Sequence, residues 1–229
     1  MVTGEMFDFV AEHFAAEHRV IVPDLRGHGR SRDLPAPYTV ASLAADLAAV
    51  LDELGIASAA VVGYSQGGAV AQQLALDHPA RCNRLVLACT YAFNAVSVRE
   101  KIEGHLAPWL IRALGMTRFA KLVFSVGVDG LSDARKAWLA GLIAGQEREA
   151  MLIAWKEAMR FDSRLRLGDI RCPSLVLAGS KDTAVPMHHA TMLANGIPGA
   201  RLVVVAGAGH GLVWTHPEAF EHAIDGFLQ

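Results

Sequence analysis

Short β-branched runs recur along the chain, each followed by a longer segment with helical spacing, and this alternation narrows the possible architectures sharply. Residues 19–22, 59–62, 84–88, 174–178 and 201–205 read as strands. Residues 39–54 read as a helix, with Val40, Leu43, Leu47, Val50, Leu51 and Leu54 on one face and Gly55 closing it. Further helices are expected over 5–17, from about 68 to 77, and over 187–195 and 217–228. Such alternation builds an α/β fold: a mostly parallel, doubly wound sheet with helices on both faces. The rhythm breaks between about 97 and 167, where the pattern stays helical and three of the four tryptophans lie. We read residues 95–167 as a helical cap inserted into one domain spanning 1–229.

Composition removes several classes of function. Hydrophobic residues make up 52% and charged ones 19%, far too apolar for a disordered chain. The 21 Lys+Arg against 23 Asp+Glu leave a formal charge of −2, without the basic excess of an electrostatic nucleic-acid binder. Mean hydropathy is positive, yet no apolar run approaches the roughly eighteen residues that would point to a membrane span. The first ten residues carry Glu5 and Asp8 and lack the basic-then-apolar order of a signal peptide. Cys82, Cys89 and Cys172 are odd in number and lack C-x-x-C spacing, so neither a disulfide framework nor a zinc site is indicated. His188-His189 starts a helix with no carboxylate at metal spacing and reads as surface. We therefore expect a cytoplasmic protein with no metal or cofactor, no nucleic-acid or membrane partner, and a small-molecule substrate.

The chemistry concentrates in Gly63-Tyr64-Ser65-Gln66-Gly67, which follows a strand directly and opens a helix. In a G-x-S-x-G elbow the turn is so sharp that a Cβ at the glycines collides with neighbouring backbone, and the serine is held strained with its hydroxyl above the sheet. The bare pattern arises by chance in roughly one chain in fifteen of this size, given ordinary glycine and serine usage, so its placement carries the weight. Gly68 adds room for close helix–strand packing. A serine nucleophile needs a base, and the base needs an orienting carboxylate. Asp182 follows the strand at 174–178, and His210 follows that at 201–205. In doubly wound sheets functional loops gather at the carboxyl ends of strands, so Ser65, Asp182 and His210 are expected to converge. Asp162 and Asp169 are rival acids.

The chain resembles the α/β-hydrolase fold superfamily nearly to its last residue. Asp24-Leu25-Arg26-Gly27-His28-Gly29-Arg30-Ser31 looks like the family's D-x-R-G-x-G-x-S loop, and Gly63 to Gly68 matches its nucleophile elbow. Gly179-Ser180-Lys181-Asp182 with Val185-Pro186 looks like its acid-bearing loop, and Gly209-His210 with His216-Pro217-Glu218 like its histidine loop and last helix. The resemblance implies a serine esterase or lactonase with Ser65 as nucleophile, His210 as base then acid, Asp182 orienting the imidazole, and the Gln66 backbone N–H in the oxyanion hole. A serine at the elbow separates it from the similar haloalkane dehalogenase and epoxide hydrolase branches, which use aspartate there. Tyr64 and Gln66 flank the nucleophile, and Val213, Trp214 and Trp155 are further candidates for contact with substrate. Trp109, Trp138 and Met159 read as cap core, and Asp24, Arg26 and His28 as scaffold near the site.

One departure stands out. Members of the family normally carry further strands ahead of the first helix, the last of which leads to a second oxyanion-hole donor; here Met1 already stands at that helix. The missing strand would lie between 19–22 and 59–62, and two strand spacings leave a gap of roughly 10 Å lined with unpaired backbone. Direct pairing of the flanking strands, a second chain in a homo-oligomer, or a longer natural protein would each resolve it. The second oxyanion donor would come from around Val2 or Thr3. An ester is the first expectation for the substrate, with lactone or C–C bond hydrolysis as rivals; a weakly active or non-catalytic binding protein is the reading from another class.

Overall fold

β1 (Ala59–Tyr64), β2 (Cys82–Ala88), β3 (Ser174–Gly179) and β4 (Arg201–Val205) form one parallel sheet in the order β1-β2-β3-β4. The computed structural model in which they lie describes residues 3–34, 38–126 and 130–229. The helices are α1 (Asp8–Phe14), α2 (Val40–Glu53), α3 (Gln66–Asp77), α4 (Val98–Val126), α5 (Asp133–Ala144), α6 (Arg148–Arg160), α7 (Met187–Gly196), α8 (Leu212–Thr215) and α9 (Pro217–Leu228). No helix among the described residues is long and apolar enough to cross a membrane.

The near-continuous apolar composition of β2 and β3 follows from burial on both faces. Leu85, Leu87, Val176 and Ala178 meet Ala71 and Ala75 of α3 and Ala190 and Leu193 of α7. Their alternates Val86, Ala88, Leu175 and Leu177 meet Phe14 of α1 and Phe220 and Ile224 of α9. Each such leucine or valine withdrawn from water contributes about 1.5–3 kcal/mol. α2 covers α3 through Leu43 and Ala44 against Val70 and Leu74, and Thr39 caps it by accepting the Ser42 N–H at 3.0 Å. Register sets where the strands stop. Tyr64 pairs with Ala88, Ala88 with Leu177, and Gly179 with Val205, so the strands end level and the loops after them share one rim.

The segment at 19–22 departs from expectation. Among the described residues it joins no ladder, and the sheet ends at β1. Backbone becomes a strand only by pairing, and here a cavity of about 670 Å³ separates Val20–Val22 from Ala59–Val62. Direct pairing across the gap is therefore not the resolution. Val62, on the unpaired edge, is left 46% exposed.

Between β2 and β3 the chain is helical, as its pattern indicates. α4 breaks at Gly115, whose φ of 71° and ψ of 166° no helix accommodates. Ile111, Phe119 and Phe124 of α4 pack with Leu139 and Ile143 of α5, Met151 and Leu152 of α6, and Met6. The face of α4 carrying Ile102, Leu106 and Trp109 points outward instead, with Trp109 62% exposed. Helical spacing is a sound signal for helix, but α4 has two apolar stripes and spacing alone does not say which one is covered. Ile111→Ala is expected to cost about 2–5 kcal/mol, whereas Trp109→Ala, though it deletes more atoms, costs under about 1 kcal/mol. Urea unfolding of the two variants checks this; the reverse order would show that α4 buries its other face.

Candidate active site

Ser65 joins β1 to α3 with φ 52° and ψ −122°, a region that non-glycine residues seldom enter. Its neighbours hold it there. The Ser65 N–H donates to the Ala88 carbonyl at 2.9 Å, and the Ser65 carbonyl accepts from the Gly68 N–H at 2.9 Å and the Thr90 hydroxyl at 2.6 Å. A Cβ on Gly63 would lie 2.6 Å from the Gly67 oxygen and Gly68 Cα, and one on Gly68 would lie 2.5 Å from Thr90. A Cβ on Gly67 would meet nothing within 4 Å. The turn thus requires Gly63 and Gly68, and the second glycine of the G-x-S-x-G pattern is not sterically forced.

Asp182 and His210 arrive from the loops after β3 and β4. Asp182 is buried; its Oδ1 accepts the N–H groups of Ala184 at 3.0 Å and Val185 at 2.8 Å, and its Oδ2 lies 2.9 Å from His210 Nδ1. An ionised carboxylate only accepts, so Nδ1 carries the proton and Nε2 keeps its lone pair. That Nε2 lies 3.1 Å from Ser65 Oγ. The arrangement can take a proton from the serine hydroxyl and hold the resulting imidazolium against a fixed negative charge. Asp162 instead pairs with Arg164 at 2.6 Å, and Asp169 is exposed. The three residues expected to converge do so, and the rivals do not.

The remaining expectations divide. The Gln66 side chain donates to the Ala154 carbonyl of α6 at 2.8 Å and so ties the elbow to the cap rather than facing substrate. As the first residue of α3, its N–H has no partner within the helix and remains a candidate oxyanion donor. Gly4 N–H is committed to Asp24 Oδ1 at 2.7 Å. Thr3, buried beside it, has an Oγ1 without a hydrogen-bond partner among the described residues, and shares the cavity wall with Gln66 and Tyr64. Val2 lies outside the described residues. Tyr64 sits behind the histidine, donating its hydroxyl to the His210 carbonyl. Its ring packs 5.8 Å from that of Trp214 and 5.9 Å from that of Phe7. Trp214 spends its indole N–H on the Met6 carbonyl at 3.1 Å, and Trp155 spends its own on Gly104 at 2.9 Å inside the cap. Val213 is fully buried among Leu175, Leu177 and Phe220, a core residue and not a pocket wall. An apolar residue just past a histidine fits either place, and only packing decides.

The scaffold reading of 24–31 holds. Asp24 accepts from Gly4, Arg30 N–H and Arg30 Nε; burial raises its pKa, but these donors outweigh burial and hold it below the usual carboxylate value. Arg26 makes a two-pronged pair with Asp46 at 2.8 and 2.6 Å. His28 is buried and its pKa is pushed down to about 4, chiefly by desolvation, which suits a neutral structural imidazole. One neighbour went unforeseen. Cys89 follows β2 directly at φ 47°, with its sulfur among the ligand atoms of Asp182 and His210, all within 4.8 Å. Burial first, then Asp182, pushes its thiol up to about 12, so it stays a neutral wall of the site. The carboxyl-end rule that located Asp182 and His210 could have located it too.

Gly63→Ala and Gly68→Ala are each expected to lose about 2–4 kcal/mol through forced contacts. Gly67→Ala should be neutral or stabilising by up to about 1 kcal/mol, since alanine favours the helix. Urea midpoints for the three variants check the assignment, and a destabilised Gly67→Ala would contradict it.

Comparison with known proteins adds an independent line. A family model described as alpha/beta hydrolase fold matches residues 3–128, and one described as TAP-like protein matches residues 151–229. The chain is 36% identical over 217 residues to a protein of Caulobacter vibrioides named carbamate hydrolase RutD, covering 92% of this chain and 80% of that one. It is 29% identical over 221 residues to 3-oxoadipate enol-lactonase 2 of Acinetobacter baylyi, covering 95% and 81%. Among solved structures, a hydrolase from Pseudomonas aeruginosa superposes with a TM-score of 0.88 at 31% identity, covering 99% of this chain and 86% of that one. Family model, relatives and fold agree: the chain belongs to the alpha/beta hydrolase fold family.

Proposed function

We propose that the protein is a cofactor-independent serine hydrolase that cleaves small carboxylic esters through an acyl-enzyme. The observation that carries this reading is the continuous path from Asp182 Oδ2 through His210 to Ser65 Oγ, with steps of 2.9 and 3.1 Å. In this scheme His210 Nε2 takes the Ser65 proton as Oγ attacks the carbonyl carbon. The tetrahedral oxyanion turns toward the Gln66 N–H, with Thr3 as the second donor. Collapse expels the alcohol, which leaves with the proton carried by His210. Water, deprotonated by His210, then attacks the acyl carbon and releases the acid, restoring Ser65. Asp182 acts by holding the imidazole tautomer and stabilising its charged form; its lone pairs are occupied by Ala184, Val185 and His210, so its direction is fixed. Each oxyanion donor is worth about 10²–10³ in rate.

A cyclic ester is the second reading. The relative named as an enol-lactonase aligns over 95% of this chain, and a lactone is opened by the same attack, with the leaving oxygen still tethered. The relative named as a carbamate hydrolase favours an acyl carbonyl as the point of attack in the same way.

With p-nitrophenyl acetate, purified protein is expected to release p-nitrophenol in a burst approaching one per chain before slower turnover. Ser65→Ala should lose at least about 10³-fold in kcat/KM. A small lactone tested in parallel ranks the two substrate classes. Ser65→Ala turning over like the parent would overturn the mechanism, and a parent that binds esters without cleaving them would mark a binding protein on this fold.

A further inference from the structure

Away from Ser65, a second group of polar side chains converges where α4 meets α7. Glu100, in the first turn of α4, closes a reciprocal cap: its Oε2 accepts the Ser97 N–H at 2.6 Å while its own N–H donates to Ser97 Oγ at 3.2 Å. This fixes the carboxylate and leaves Oε1 pointing at α7. His188 Nε2 reaches that oxygen at 3.0 Å and His189 Nε2 reaches it at 2.8 Å. Adjacent helical residues diverge by about 100°, yet both rings turn inward, with centroids 4.2 Å apart. The sequence offered no carboxylate near this pair because Glu100 is 88 residues from His188 along the chain, and His189 is fully buried rather than on the surface.

We propose that Glu100, His188 and His189 form a binding site for a divalent transition metal of the zinc class. Two imidazole nitrogens and one carboxylate oxygen are a donor set that zinc accepts in three-ligand sites, with water in the fourth position. A tetrahedral ion about 2.0–2.1 Å from each donor needs them roughly 3.3 Å apart. Glu100 Oε1 lies 3.0 and 2.8 Å from the two nitrogens and all three donors lie within 4.8 Å of one another, so on binding the carboxylate retreats by a few tenths of an ångström and the two imidazole nitrogens close to the same spacing. To bind, each imidazole presents Nε2 bare and carries its proton on Nδ1. For His189 the proton moves from Nε2 to Nδ1, which is buried and has no hydrogen-bond partner among the described residues, a cost that the metal–nitrogen bond has to exceed. The His188 side chain is 41% exposed and opens the route by which the ion enters. Bound there, the metal fastens the start of the cap to the helix that follows the Asp182–Val185 turn. The site is independent of the hydrolytic reading.

Titration of chelator-treated protein with ZnCl2 in a calorimeter tests it. Cys89, Asp182 and His210 also bring three ligand atoms within 4.8 Å, so the titration is run on wild-type protein and on His210→Ala. We expect one ion per chain in His210→Ala, with a rise in Tm. His188→Ala introduced into the same background should weaken binding at least ten-fold while lowering the metal-free Tm by no more than about 2–4 °C, because Glu100 keeps its bonds to Ser97 and His189. Glu100→Gln should weaken binding likewise. Absence of zinc binding by folded His210→Ala, or equal affinity after His188→Ala, would overturn the proposal.

Discussion

The hydroxyl of Ser65 projects above the sheet because the backbone beneath it is held at a positive φ by contacts that leave no slack. Three hydrogen bonds fix the peptide groups on either side of Ser65, and Gly63 and Gly68 let strand and helix approach to distances that a Cβ would forbid. Strain of this kind persists only where surrounding structure over-determines it. Thr90 has a double part, since its side chain both fills the space against Gly68 and donates to the Ser65 carbonyl. The elbow is therefore set from β2 as well as from β1, and two neighbouring strands specify one serine.

The partners of Ser65 are positioned by a comparable economy. The loops after β3 and β4 are tied to each other before they meet the serine: Lys181 N–H donates to the Ala208 carbonyl at 2.8 Å and Gly207 N–H to Ser180 Oγ at 2.9 Å. Gly179 permits this closeness, since a Cβ there would lie 2.4 Å from the Ala208 oxygen. Tyr64 adds a third tie by donating to the His210 carbonyl. Asp182 and His210 are thus held as one unit, braced from the strand that also carries Ser65. Precision of this order is what general acid–base chemistry needs.

Much of this was legible in the sequence because it rests on local or periodic signals. Strand–helix alternation led to the parallel sheet, the G-x-S-x-G pattern between strand and helix led to Ser65, and the rule that functional loops follow strand ends led to Asp182 and His210. Other features depend on packing between distant segments, which periodicity does not encode. Ile102 and Trp109 have the spacing of a buried face, yet α4 turns a different stripe inward. Val213 and Tyr64 sit beside the site in sequence but serve the core and the histidine loop in space. Glu100 meets His188 and His189 only because the cap folds back onto α7. The segment at 19–22 has the composition of a strand, but pairing needs a neighbour, and the cavity beside β1 leaves it without one.

In the proposed mechanism His210, oriented by Asp182, activates Ser65 as a nucleophile. Reaction with a fluorophosphonate, followed by digestion and mass spectrometry, tests it most directly. One adduct per chain is expected, confined to the peptide bearing Ser65, with labelling slowed by orders of magnitude in folded His210→Ala. An unlabelled Ser65 in folded protein, or labelling at an unchanged rate without His210, would contradict it.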